Sequence, residues 1–131
     1  MEIRFSIPGP IRGKGRPRFA KVGGFVKTYT DGRTANYENW VRLCYQAASK
    51  NTLEGNIEAT IVARFAVGKA RKLTEYQGSP CTKKPDADNI AKVILDSLNG
   101  IAYRDDAAVW TLTVSKCWDI ADQVDVTLKG D

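Results

Sequence analysis

Five of the fifteen acidic residues of this 131-residue chain fall between residues 83 and 109. They stand in three places: Asp86 with Asp88, then Asp96, then Asp105 with Asp106. Carboxylates held close together oppose one another's ionisation. A hard divalent cation resolves that conflict, and Mg2+ takes oxygen ligands while keeping part of its own water. The chemistry open to such a set is metal-assisted hydrolysis. Lys92, four residues after Asp88, adds a cation there. It is either a phosphate-facing charge or a helix ion pair with Asp88 or Asp96. Read singly, the acids also fit plainer roles: Asp at a helix start caps, and Asp-Asp before a strand turns. An EF-hand loop is excluded, because Ile90 occupies its third ligand position.

A helix must position these groups. Pro85 biases Lys84 away from the helical region, so the helix begins after it. Asp86 or Asp88 can accept the free N–H groups of the first turn. Ile90, Ile94 and Leu98, with Ala87 and Ala91 beside them, form one buried stripe. Asp88, Lys92, Asp96 and Asn99 fall on another face. Asn99-Gly100 ends the helix. A strand follows, carrying Val109, Leu112 and Val114. If it packs antiparallel to the helix, Asp106 returns beside Asp86 and Asp88, and three carboxylates converge.

The chain contains no histidine. That excludes Ser-His-Asp and Cys-His catalysis, zinc-histidine sites and the commonest general base. Cys44, Cys81 and Cys117 form no C-x-x-C pair and read as reduced thiols. No apolar run is long enough to span a membrane and no signal peptide precedes Met1, so a cytosolic protein is expected.

The net charge of +5 is uneven: residues 1–50 hold ten Lys or Arg against three acids, and residues 51–131 hold ten against twelve. The basic half suits a polyanion. Arg12, Lys14, Arg16 and Arg18 alternate with Gly13, Gly15 and Pro17. If extended, that segment sets four cations along one edge, roughly 6.6 Å apart. The glycines would let the backbone approach a phosphate. A disordered basic loop is the plainer reading. A P-loop is only a near miss, since the spacing from Gly9 to Lys14 is one residue short and Gly15 replaces Ser or Thr.

The other elements follow from periodicity. Residues 2–7 alternate as a half-buried strand. Residues 19–22 and 25–28 flank Gly23-Gly24 as a β-hairpin bearing Lys21 and Lys27. Asp31-Gly32 reads as a turn. Residues 34–50 read as a helix with an apolar stripe of Tyr37, Trp40, Val41, Cys44 and Ala48. Tyr37, Trp40 and Tyr45 could stack on bases, although core packing suits Trp40 better. Residues 57–67 are the longest strand. Residues 68–80 form a mobile basic loop with one helical turn at most, and Lys69, Arg71 and Lys72 are candidate DNA contacts beside Lys83 and Lys84. Residues 108–118 and 123–129 are strands. The expectation is one α+β domain over residues 1–131, a mixed sheet with two main helices on one face.

With those residues in place, the sequence resembles the RusA-type Holliday junction resolvases. The resemblance rests on Pro85-Asp86-Ala87-Asp88-Asn89, Lys92, Asp96, Leu98-Asn99-Gly100 and Asp105-Asp106. The segment Gly13-Lys14-Gly15-Arg16-Pro17-Arg18 is similar to the amino-terminal loop of the phage and Gram-positive branch. The resemblance implies a homodimeric endodeoxyribonuclease that cuts four-way DNA junctions in recombination and repair. It implies one or two Mg2+ ions, with Mn2+ able to substitute. By the same match Asp86, Asp88 and Asp106 are catalytic carboxylates and metal ligands, and Lys92 is the essential lysine; beside Asp106, Asp105 reads as an alternative or outer ligand. Arg12, Lys14, Arg16, Arg18 and Lys21 would position DNA phosphates. The alternatives are a Mg2+ nuclease for flaps or single strands and a non-catalytic basic DNA-binding module.

Overall fold

The computed structural model describes residues 1–15, 18–29, 31–69 and 71–131, with residues 18, 19, 22, 28 and 29 described as backbone alone. The elements in chain order are β1 (Glu2–Pro8), β2 (Arg18–Val22), β3 (Phe25–Tyr29), α1 (Gly32–Ala48), β4 (Ile57–Ala66), α2 (Leu73–Tyr76), α3 (Ala87–Ser97), β5 (Val109–Asp119) and β6 (Gln123–Lys129). A single 3-10 turn, Asp106–Ala108, leads into β5. No described helix is long and apolar enough to cross a membrane.

Four strands form a mixed sheet in the order β1-β6-β4-β5. β6 lies antiparallel to both β1 and β4, whereas β5 lies parallel to β4. A parallel pair needs a crossover, and α3 lies within it. β2 and β3 form a separate hairpin, where Gly23 and Gly24 take the positive φ values (55° and 86°) that its two-residue turn requires.

Strand alternation sets one face of the sheet inward. Ile3, Phe5 and Ile7 of β1 are buried, as are Ile57, Ala59, Ile61, Ala63 and Phe65 of β4 and Val124, Val126 and Leu128 of β6. α1 adds Tyr37, Val41 and Tyr45 to this core, and α3 adds Ile90, Ala91, Val93 and Ile94. The expected α+β architecture, with its mixed sheet and two main helices, is thus present.

Several local expectations are corrected. Asp31 is not in a turn but caps α1, its carboxylate accepting from Arg33 N at 3.0 Å and Thr34 N at 3.1 Å. Trp40 leaves the core: it is 41% exposed, and its ring N–H donates to Pro8 O. Tyr37 and Tyr45 are buried instead and so are withdrawn from base stacking. The loop after β4 is pinned at its far end, where Gly78 N donates to Trp118 O and Cys81 N to Lys116 O. The three cysteines are unpaired, as expected.

The sheet's other face is polar. Arg64 reaches Asp125 at 2.7 Å and Asp119 at 3.1 Å. Burial pushes the Asp125 carboxyl up, but hydrogen bonds from Arg64, Gln123 and Ser6 outweigh it and hold it below its ordinary value. Folded Asp125 therefore releases its proton more readily than the unfolded chain. Its contribution is complete above a pH of about 4 and is lost as pH falls further. Urea unfolding between neutral and acidic pH should show Asp125→Asn losing less stability on acidification than the wild type. Parallel curves would contradict this.

Candidate functional site

The carboxylates are distributed along α3. Asp86 is the N-cap residue, with extended φ and ψ of −67° and 153°, yet its side chain makes no capping hydrogen bond. Its carboxylate is exposed, as is that of Asp88 in the first turn. The partial positive charge of the helix start favours both anions. Lys92, one turn further on, is exposed and forms no ion pair or hydrogen bond among the described residues, so the helix ion-pair reading does not apply.

Near the helix exit stands a second acidic group. The segment after α3 folds back on the helix end: Gly100 N donates to Tyr103 O at 2.8 Å, and the buried Tyr103 hydroxyl donates to Leu95 O at 2.6 Å. Asn99 Oδ1 then accepts from Asp106 N at 2.8 Å. This puts the Asp106 carboxyl against those of Asp96 and Asp105. Burial raises its pKa, and the neighbouring carboxyls of Asp96 and Asp105 raise it further.

The expected convergence of Asp86 and Asp88 with Asp106 is therefore not formed. Among the described residues, no three acidic, cysteine or histidine side chains are grouped to hold an ion. Asp88 and Asp96 are two turns apart, about 12 Å along the axis, and Asn99 ties Asp106 to the far end. The result is two acidic groups, at the entrance and exit of one helix, with an unengaged lysine between them. The donor chemistry still fits a hard cation. Every candidate ligand is a carboxylate oxygen, and Asp106, partly buried, has the carboxyls of Asp96 and Asp105 as its neighbours.

The amino-terminal loop is built differently from an extended row of cations. Lys14 N donates to Asn89 O at 3.1 Å, and Gly15 N donates to Thr34 Oγ1 at 3.0 Å. Residues 13–15 thus bridge the starts of α3 and α1. A Cβ on Gly13 would lie 2.9 Å from Pro85 Cβ, and one on Gly15 would lie 2.0 Å from Asp31 Oδ2. The glycines permit packing of the loop against both helices. Gly15→Ala should cost about 1–3 kcal/mol, the usual range for overpacking. Denaturant titration checks this, and an unchanged midpoint would contradict it.

Lys14 faces inward. Its Nζ is 3.3 Å from Glu38 Oε2 and 3.2 Å from Asp96 Oδ2. Burial lowers its pKa, but the two carboxylates outweigh burial and leave it raised. Its ammonium is thus paired with carboxylates instead of standing in an outward row with Arg12. Arg12 is exposed, and with Lys84, Asp86 and Asn89 it lines a cleft of about 410 Å³. Lys21, Lys69, Lys72, Lys83 and Lys84 are exposed. Arg71, also exposed, is stacked on Trp118 at 4.9 Å and Tyr76 at 5.3 Å. Arg16 lies outside the described residues, as does the Arg18 side chain.

Two features escaped the sequence reading. Glu38 is buried between Tyr37 and Val41 of the core, and a charge inside an apolar stripe was its available signal. Asp96 was expected in an ion pair and is in one. Its contact with Asp106 depends on the fold-back after α3, which no periodicity reveals.

Comparison with known proteins places these residues in context. The family model described as "Endodeoxyribonuclease RusA" matches residues 8–129. The chain is also similar to "Uncharacterized protein YqaN" of Bacillus subtilis (strain 168), 25% identical over 135 residues that cover 97% of this chain and 95% of the relative.

Proposed function

The chain belongs to the RusA endodeoxyribonuclease family, hydrolases acting on DNA, and on that premise we propose that it resolves four-way DNA junctions by Mg2+-dependent, symmetric phosphodiester hydrolysis as a homodimer. The observation carrying this reading is the arrangement on α3: two acidic groups flank Lys92, which no carboxylate among the described residues engages, and the cationic cleft of Arg12 and Lys84 opens beside Asp86.

Asp86 and Asp88 at the start of α3, and Asp106 with Asp105 as a further ligand at its end, would hold Mg2+, one ion or two, with Mn2+ as a substitute. What a bound ion supplies is positive charge at the attacked phosphate and a more acidic attacking water. The chain's own residues bind and orient. Arg12 and Lys84 grip a backbone phosphate in the cleft. Lys92 presents its ammonium to the scissile phosphate, where negative charge grows during attack. Lys21, Lys69, Lys72 and Lys83 hold more distant phosphates. Such contacts carry no base information, so the shape of the DNA selects the substrate. A four-way junction has two-fold symmetry, and a two-fold dimer presents one site to each of two strands.

Cleavage of a labelled synthetic four-way junction, beside a flap and a plain duplex, tests the proposal. Paired symmetric nicks on the junction, present with Mg2+ and absent with EDTA, are expected. Preference for the flap, or cutting in EDTA, would sink it. The Arg12→Ala, Lys84→Ala double variant should also flatten the salt dependence of junction binding. Each lost phosphate contact reduces the slope of log K against log salt by about 0.9. An unchanged slope would remove both residues from the phosphate grip.

A further inference from the structure

Among the described residues of the amino-terminal loop, Lys14 turns its charge inward and Arg12 does not. The Lys14 side chain is 18% exposed, and its ammonium lies between Glu38 and Asp96. Its backbone is fixed as well, by the bond to Asn89 O and by glycines on either side with no room for a Cβ. An ordinary surface lysine has neither restraint. Glu38 is buried, and a buried carboxylate needs a paired cation. Asp96 is different. It is less buried than Glu38, and it meets Lys14 on one side and the Asp106 carboxyl on the other.

We infer that Lys14 is a positioning residue of the nuclease site: its ammonium holds Asp96 in an ion pair and so keeps Asp96 out of the ligand set of Asp105 and Asp106. The inference rests on the metal-dependent nuclease reading above. Without the ammonium, Asp96 is free to join its two neighbours around a cation. Cation affinity rises with the number of charged ligands. The same added carboxylate cancels part of the positive charge offered to the phosphate. Metal affinity and cutting rate therefore move in opposite directions when Lys14 is lost. A lysine that merely sealed the loop would lower both together.

The test uses the full chain as wild type, Lys14→Met, Lys14→Arg, and Lys14→Met combined with Glu38→Gln, which removes the carboxylate that Lys14→Met would strand. Mn2+ affinity is read without DNA from the electron paramagnetic resonance of the free ion. Single-turnover cleavage of a four-way junction is read at saturating Mg2+. The double variant should bind Mn2+ roughly three- to tenfold more tightly and cut about 30-fold more slowly or worse. Adding Asp96→Asn to it should return Mn2+ affinity to the wild-type value. Lys14→Arg should stay within about threefold of wild type in both readings, since it keeps the charge. A folded double variant with unchanged or weaker Mn2+ affinity overturns the inference, as does one that cuts at the wild-type rate. If the wild type binds and cuts but its variants are indifferent, this inference alone fails. If the wild type neither binds Mn2+ nor cuts DNA, the nuclease reading fails with it.

Discussion

Asp88→Asn should leave a chain that binds four-way junctions and no longer cuts them. Asp88 is exposed in the first turn of α3, so the substitution disturbs no packing. Its cost to folding is confined to the lost attraction between an anion and the helix start, about 0.3–1 kcal/mol. The cost to cleavage is far larger. Losing an outer partner of a ligand already lowers metal affinity or activity roughly 10–100-fold, and losing a ligand itself should exceed about 10³-fold. Binding should be unchanged or tighter, because one negative charge near the phosphates has gone. Gel-shift titration without metal, beside single-turnover cleavage with Mg2+, separates these effects. Loss of binding in step with loss of cutting would indicate misfolding, and cutting within tenfold of wild type would remove Asp88 from the ligand set.

The parts of the fold that were legible in sequence are those governed by short periods. Alternation along β1, β4 and β6 reports a buried face directly, because successive strand residues point to opposite sides. The stripe of Ile90, Ile94 and Leu98 reports α3 in the same way, and all three are fully buried. What periodicity does not contain is which strands meet. β6 is inserted between β1 and β4, an arrangement set by distant segments and invisible in any window of sequence. The site was half legible for the same reason. Residue type and spacing singled out the acids, Lys92 and the basic loop as candidates. Their mutual placement could not be read that way, because it depends on contacts such as Asn99 to Asp106 and Tyr103 to Leu95. Lys14 shows the limit most clearly. Alternation with Arg12, Arg16 and Arg18 suggested an outward cation only if the segment were extended, and docking against α1 and α3 removes that premise.

Lys92→Met should lower the single-turnover rate by about 10²–10³-fold, the usual effect of removing one group that stabilises charge in the transition state. Its structural cost should be small, since Lys92 is exposed and no partner among the described residues is stranded by its loss. Two roles for the ammonium predict different patterns. If it only grips a phosphate, ground state and transition state lose equally: affinity falls, the salt slope drops by about 0.9, and the rate at saturation holds. If it answers charge that develops during attack, the rate at saturation falls while junction affinity changes little. The position of Lys92 favours the second pattern. It stands between the acidic groups at the two ends of α3 and, on the proposed reading, would meet the phosphate that they surround, whereas Arg12 and Lys84 line a separate cleft beside Asp86. Lys92→Arg then becomes the finer probe: it retains the charge on a planar, forked head, so a rate restored to within tenfold of wild type would mean that charge suffices, and a rate as low as that of Lys92→Met would mean that the compact ammonium is required.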